Sequence, residues 1–116
     1  MNTTRKFILL NDLLCNKIQN CQMSIELAKL IGFDVDSIGS IDWCEINYDS
    51  YNIDKDDIEF TFEYDDGQIE RRCESIENIF DMIRPIYFEP EYWNQIEEID
   101  RDSKTDSEFE SRINRI

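Results

Sequence analysis

Residues 58–64 constrain the fold more than any other part of the chain. Large apolar side chains alternate there with polar ones, which is the two-residue period of a strand with one buried face. The apolar positions are Ile58, Phe60, Phe62 and Tyr64. Asp66 and Gly67 follow at once, and this dipeptide favours the positive φ angles of a tight hairpin turn. The sequence therefore predicts an antiparallel hairpin that returns through residues 68–73.

A two-residue turn at Asp66 and Gly67 also predicts the register of this hairpin. The pairs expected on its inner face are Tyr64 with Ile69, Phe62 with Arg71, and Phe60 with Cys73. On the outer face, Glu63 is expected opposite Glu70, and Thr61 opposite Arg72. Two carboxylates that are directly opposed repel each other and add nothing to folding. We therefore interpret this pair either as tolerated or as part of a binding surface.

The first 33 residues predict a helical segment. Apolar residues recur there at helical spacing, namely Phe7, Leu10, Leu14, Ile18, Cys21, Ile25 and Ala28. Thr3 or Thr4 is expected to cap its start, and Gly32 to end it. Ser24 can cap a second helix, so the pattern fits one long helix or two short ones with a break within residues 21–24.

Residues outside these segments predict one more strand and short helices. A looser alternation predicts a strand at residues 41–48. Ser75 is expected to cap a short helix that Pro85 ends, and Pro90 suits the first position of the next helix. A last helical turn is expected around Phe109, Ile113 and Ile116 with a Glu108–Arg112 pair.

The predicted fold class is α+β. It comprises an N-terminal helical segment packed on a small antiparallel β-sheet of two to four strands, with the hairpin around Asp66 and Gly67, followed by short C-terminal helices. A length of 116 residues predicts a single domain over residues 1–116, with residues 101–116 as a mobile tail.

Charge is distributed unevenly along the chain. The 27 acidic and 12 basic residues give a formal net charge of −15, yet the first 33 residues carry four basic and two acidic residues. The rest of the chain is therefore the source of the negative charge. Such a field repels nucleic acids and anionic membranes and attracts basic protein surfaces. A hydrophobic content of 41% with seven Phe and five Tyr predicts a folded protein rather than a disordered acidic tail.

The cysteine pattern and the N-terminal sequence predict a cytoplasmic protein. No signal peptide or membrane-spanning stretch is expected. The four cysteines, Cys15, Cys21, Cys44 and Cys73, match neither a zinc spacing nor a redox CxxC motif. Buried thiols are favoured in a reducing compartment, although four cysteines could also pair in three ways.

No cofactor, metal or catalytic site is predicted. A calcium loop that starts at Asp54 would need an acid or amide at its fifth position and glycine at its sixth, where the chain has Ile58 and Glu59. The chain has no histidine, the usual base of serine and cysteine nucleophiles, and no glycine-rich phosphate loop. The sequence therefore predicts a protein that acts by binding and is not an enzyme.

The acidic residues around the hairpin are the candidate binding site. They are Asp54, Asp56, Asp57, Glu59, Glu63, Asp65, Asp66 and Glu70, with Tyr48, Tyr51 and Trp93 as exposed aromatic anchors. Alternate carboxylates along a strand project from one face at multiples of about 6.6 Å. This spacing imitates the repeated charge of a nucleic-acid backbone.

The predicted function is that of a small acidic stoichiometric inhibitor that occupies a basic, nucleic-acid-binding surface of another protein. In size and composition, the chain resembles the acidic DNA-mimicking and anti-CRISPR proteins of phages, although it shares no motif with a particular family. The expected partner is a basic, nucleic-acid-binding protein, for which the resemblance implies a CRISPR effector or a nuclease in the cytoplasm of a bacterial host cell, and no direct contact to nucleic acid or membrane is expected. Two alternatives stay open: an immunity protein that neutralises a basic nuclease toxin, and a structural or regulatory interaction subunit.

Overall fold

The protein has an α+β fold, as the sequence predicts. The computed structural model describes residues 1–18, 20–33, 44–52, 57–64 and 67–116, with the backbone alone for residues 21, 44–52, 62 and 64. The elements are α1 (Thr3–Asp12), α2 (Cys21–Ile31), β1 (Cys44–Asn52), β2 (Asp57–Tyr64), β3 (Ile69–Ser75), α3 (Ile76–Tyr87), α4 (Pro90–Asp102) and α5 (Asp106–Ile113). The three strands form an antiparallel sheet in the order β1-β2-β3.

The N-terminal segment forms two helices. Helix α1 continues into a π-helical turn over Leu13–Lys17, and α2 begins at Cys21. The sequence predicts either a continuous helix or a break around residues 21–24, and the structure has two helices with the break slightly earlier, between Lys17 and Cys21. Gly32 ends α2 as predicted, with a left-handed φ of 113° that a residue without Cβ adopts at low cost.

Asparagine residues cap both of these helices. The side chain of Asn2 accepts a hydrogen bond from the backbone N–H of Arg5 at 2.8 Å, and that of Asn20 accepts one from Met23 at 2.9 Å. Thr3 therefore lies inside α1 rather than at its cap, and Ser24 is buried within α2. Asparagine is as good an N-cap as serine, so the sequence alone does not show whether Asn20 or Ser24 caps α2.

The hairpin is confirmed, but its predicted register is wrong by one residue. Glu63 lies opposite Ile69 and Phe62 opposite Glu70, so Glu63 and Glu70 do not face each other. The connection is longer than a two-residue turn, and Gly67 has a left-handed φ of 88°. Longer hairpin loops with a left-handed glycine are common, and each added residue shifts the register by one.

Arg72 explains why β3 adopts this register. Its guanidinium donates to the carbonyl oxygen of Gly32 at 3.2 Å and pairs with Glu74 at 3.1 Å. A cation at this place is favourable because the carbonyl groups at the end of α2 carry partial negative charge. In the predicted register, Arg72 would lie on the opposite face of the sheet and could not reach Gly32.

The C-terminal half follows its local signals, with one exception at Pro85. Ser75 caps α3, and Pro90 is the first residue of α4, both as predicted. Pro85 does not end α3, which runs on to Tyr87. Because proline lacks an N–H, the carbonyl group of Asp81 has no helical hydrogen-bond donor at Pro85. Asp81 is exposed, so water can take the place of that donor.

Helix α5 anchors the C-terminal segment. Thr105 caps it by accepting from the N–H of Glu108 at 3.1 Å, and the predicted Glu108–Arg112 pair forms at 2.8 Å. Phe109 and Ile113 are 0% and 1% exposed. These buried side chains hold α5 against the core, while the mobile tail expected at residues 101–116 stays a prediction.

One apolar cluster holds the helices to the sheet. It includes Leu9 and Leu10 of α1, Ile58 and Phe60 of β2, and Phe109 of α5. The alternation along β2 thus performs the role predicted for it, because Ile58 and Phe60 are each 1% exposed. The opposite face of β2 is turned away from this core.

A buried guanidinium connects the two ends of the chain. Arg5, in α1, is 8% exposed and forms ion pairs with Asp100 and Asp106, each at 2.9 Å. It also donates to the backbone carbonyl groups of Asp100 and Ser103. The guanidinium lies 5.2 Å from the centre of the Phe109 ring. Four hydrogen bonds and one aromatic ring therefore surround this cation.

Candidate functional site

Three of the predicted site residues share one side of β2. Asp57, Glu59 and Glu63 are separated by even numbers of residues along this strand, and side chains two apart point to the same face. Ile58 and Phe60, at the intervening positions, are buried in the core. The three acidic residues therefore lie on the outer face of the sheet, where each is partly exposed.

Strand β1 brings two further acidic residues to this face. In its register with β2, Glu45 lies opposite Glu63 and Asp49 lies opposite Glu59. Residues directly opposite each other in an antiparallel pair occupy the same face. Glu45, Asp49, Asp57, Glu59 and Glu63 together define what we call the acidic face.

The acidic face contains two like-charge pairs at separated positions. Glu59 and Glu63 are four positions apart along β2, so the two pairs are about 13 Å apart. Each pair of like charges directly opposed across a sheet costs up to about 1 kcal/mol of folding free energy. Within the described part of the chain, neither Glu59 nor Glu63 forms an ion pair that would offset this repulsion.

The acidic character of this outer face ends at β3. Ile69 lies opposite Glu63, Arg71 opposite Thr61, and Cys73 opposite Glu59. All three residues of β3 are exposed. The outer face therefore changes from acidic on β1 and β2 to mixed on β3.

Other predicted site residues lie elsewhere. Glu70 lies opposite Phe62 on the other face of the sheet, so the structure separates it from Glu59 and Glu63. Tyr48 lies opposite the buried Phe60, at a position that also belongs to the inner face. Tyr51 lies near the end of β1 beside a register shift. Asp54, Asp56, Asp65 and Asp66 lie outside the described residues.

Trp93 is not the exposed aromatic anchor that the sequence predicts. It is half-buried, and its ring lies 5.7 Å from that of Phe80 and 6.1 Å from that of Phe88. The guanidinium of Arg84 lies 5.2 Å from the centre of its ring. Trp93 is thus part of the packing between α3 and α4, because an amphipathic helix buries its largest apolar side chain.

Glu45 and Asp49 were missed as site residues. The sequence predicts a strand at residues 41–48, which leaves Asp49 outside and says nothing of the partner strand. The sequence has no turn motif such as Asp-Gly between these two segments, so it does not predict the register of β1 with β2. The signal available in the sequence was that Glu45 and Asp49, like Glu59 and Glu63, are four positions apart and therefore share one face of their strand.

Basic residues near the N-terminus are used inside the molecule. Arg5 pairs with Asp100 and Asp106, and Lys6 pairs with Glu77. Lys17 pairs with Asp12 at 3.5 Å and lies over the ring of Tyr92. These cations are consequently bound to helices and do not neutralise the acidic face.

Two surface depressions in the described part of the chain carry no convergent catalytic groups. One of about 300 Å³ lies between α1 and α5, with Phe7 and Ile8 in its lining. The other, of about 210 Å³, is lined by Lys17, Tyr87, Glu89 and Tyr92. Burial, and to a lesser degree the charge of Glu26, raises the pKa of Tyr87, so its phenol stays protonated at neutral pH.

Metal sites and membrane spans are also absent from the described ranges. No group of three or more acidic or cysteine side chains comes together there in a way that would hold a metal ion. None of the helices assigned in those ranges has the length and apolar character needed to cross a bilayer. The acidic face is therefore the surface feature of the described residues that most needs a functional explanation.

Comparison with protein-family models, with curated proteins and with solved structures gave no match.

Proposed function

We propose that this protein is a stoichiometric inhibitor that binds a basic, nucleic-acid-binding surface of another protein through its acidic face. The main support is the register of β1 and β2, which opposes Glu45 to Glu63 and Asp49 to Glu59. Such pairs oppose folding, so their presence on a face turned away from the core is best explained by a cationic partner.

The spacing of the face suits a surface that binds phosphate groups. The two pairs lie about 13 Å apart along the strands, and the residues of each pair are about 5 Å apart across them. A groove that neutralises nucleic-acid phosphates presents lysine and arginine side chains at comparable intervals. The net charge of −15 further steers such a partner toward this protein and repels nucleic acid itself.

A pair of charge-reversal variants tests this proposal. Glu59→Lys with Glu63→Lys reverses charge on the acidic face, and Glu97→Lys with Glu98→Lys makes the same change on exposed positions of α4. Both double variants have the same net charge, so a difference between them reports on position alone. We expect the first to weaken partner binding by about 100-fold or more, because removing one partner of a buried interfacial charge pair costs roughly 2–5 kcal/mol.

The partner is first captured from the native host on the immobilised protein at low salt and identified by mass. Binding of the wild type and of both double variants is then measured by titration, together with displacement of duplex nucleic acid from the partner. We expect one wild-type molecule to displace the nucleic acid from one partner molecule. Equal affinity of the wild type and the Glu59, Glu63 double variant would exclude the acidic face as the interface.

The same experiment separates the alternative functions. A captured nuclease toxin whose activity is blocked by the protein would identify an immunity protein. Binding that persists in about 1 M salt, where charges are screened beyond about 3 Å, would identify an interaction subunit held by apolar contacts.

A further inference from the structure

Strand β3 differs from the rest of the sheet in charge and position. It is at the edge of the described sheet, whereas β2 is paired on both sides. Strands β1 and β2 contain acidic but no basic residues, while β3 contains two of each, namely Glu70, Arg71, Arg72 and Glu74. In a protein of net charge −15, this neutral edge is where a second copy meets the least repulsion.

The central residues of β3 lie at the surface of the described part of the chain. Arg71, Arg72 and Cys73, at its centre, are all exposed. An edge strand with free N–H and C=O groups is a template for another strand, unless its side chains prevent pairing. Charged residues usually serve that protective purpose, so the distribution of charge along β3 decides whether a second copy fits.

Symmetry restricts how β3 can pair with itself. A two-fold axis perpendicular to the sheet keeps each residue on its own face, so an antiparallel self-pair must be centred on one residue. Centring on Glu70 or Glu74 opposes two carboxylates, and centring on Arg71 or Arg72 opposes two guanidinium groups. Like charges directly opposed are destabilising.

Among the charged and central positions of β3, Cys73 alone gives a register without such repulsion. That register opposes Cys73 to itself, Arg72 to Glu74, and Arg71 to Ser75. Arg72 and Glu74 already lie on the same face and pair within the strand at 3.1 Å. In the self-paired arrangement, each guanidinium would also face a carboxylate of the other copy.

We propose that the protein forms a two-fold symmetric dimer through antiparallel pairing of β3 with β3 of a second copy, centred on Cys73. The result is a six-stranded sheet in which both acidic faces lie on the same side. Three strand spacings separate the two copies of β2, a distance of about 14 Å. Two linked acidic faces would bind a partner with two basic sites by avidity as well as by charge.

Charge complementation between two variants tests the dimer. Arg72→Glu opposes carboxylates across the interface, and Glu74→Arg opposes guanidinium groups. We expect the wild type to sediment as a dimer in reducing buffer and each variant to sediment as a monomer. An equimolar mixture of the two variants restores opposite charges across the interface and should sediment as a dimer.

The mixture also controls for misfolding, because misfolded variants would not associate when combined. Circular dichroism of each variant provides a second control. A wild type that sediments as a monomer, or single variants that dimerise like the wild type, would overturn the proposal.

Cross-linking tests the register. Directly opposed residues have Cα atoms about 4.5–5.5 Å apart, within the range that a disulfide bridges. Mild oxidation with diamide should therefore cross-link the wild-type dimer and the Cys15→Ser control, but not Cys73→Ser. Cys15 and Cys73 are both exposed free thiols, so they are matched in access. Cross-linking that depends on Cys15 instead would contradict the register.

These assays contain no other protein, so they are independent of the inhibitor proposal. A monomeric wild type whose acidic face still binds the basic partner would overturn the dimer alone. A dimer whose Glu59, Glu63 double variant still binds the partner would overturn the acidic interface alone.

Discussion

Arg5 shows how one residue can link distant parts of a small chain. Its partners Asp100 and Asp106 lie 95 and 101 positions away along the sequence. A guanidinium suits this place because its donors match two carboxylates and two carbonyl groups at once. The Arg5 side chain is buried, but its partner Asp106 is not, since the Asp106 side chain is 43% exposed.

We expect Arg5→Ala to lower the free energy of unfolding by about 2–3 kcal/mol, somewhat less than the loss of a fully buried charge partner. The loss has three causes: the broken ion pairs with Asp100 and Asp106, the unpaired carbonyl groups of Asp100 and Ser103, and the lost contact with Phe109. Urea unfolding followed by circular dichroism measures it. The control is Arg101→Ala. The Arg101 side chain is 74% exposed, so this substitution should change the free energy of unfolding by less than about 0.5 kcal/mol. Equal effects of both substitutions would contradict the role assigned to Arg5.

Asp106 should make the stability of the protein depend on pH. Hydrogen bonds from Asn2 and Arg5 hold the pKa of this carboxyl below its ordinary value. A carboxyl with a lowered pKa stabilises the folded state above its unfolded pKa, and this contribution is lost as the pH falls through the folded pKa. The contribution is therefore complete near neutral pH and lost in acid below about pH 4.

The variant Asp106→Asn isolates this effect from the protonation of the many other carboxylates. We expect the wild type to exceed it by about 1 kcal/mol or less near pH 7, because the carboxyl is partly exposed. The difference should shrink as the pH falls below about 4. Urea unfolding of both proteins across this range provides the comparison, and a difference that does not vary with pH would contradict the ion pair.

At the scale of the elements, the hairpin register decides which acidic residues act together. A shift of one residue moves the side chains of a strand to the opposite face. It moves Glu70 from the outer face to the inner face and brings Arg71 to the outer face, opposite Thr61. The acidic face depends instead on the pairing of β1 with β2.

The opposed like charges predict that Glu59→Lys with Glu63→Lys raises the stability of the free protein. Each substitution turns a repulsive cross-strand pair into an attractive one, and each pair contributes roughly 0.2–1 kcal/mol. Thermal unfolding at low salt should therefore show a higher midpoint than the wild type.

The matched control for this gain is Glu97→Lys with Glu98→Lys, which changes the net charge equally. Those residues occupy exposed positions of α4 outside the sheet. A smaller gain in the control identifies the cross-strand pairs as the cause. Equal gains would attribute the effect to net charge alone.

At the scale of the whole molecule, the charge of −15 opposes the compact state. We expect the thermal midpoint to rise as salt increases from about 0.01 M to 0.15 M, because the screening length falls from about 30 Å to about 8 Å. Differential scanning calorimetry measures the rise. The rise should be smaller in the Glu59, Glu63 double variant, which has less repulsion to screen. A midpoint that falls with salt would show instead that ion pairs such as those of Arg5 dominate.

The sequence by itself determined most of the helices and strands of this protein and its excess of acidic residues. The alternation in β2, the cap at Ser75 and the glycine that ends α2 depend on residues within a few positions, so a local pattern predicts them. Only the tertiary structure decided the register of the strands, the face to which each carboxylate belongs and the partners of Arg5. These features depend on contacts between residues far apart in the chain, such as the one between Arg72 and Gly32, and no local pattern contains them.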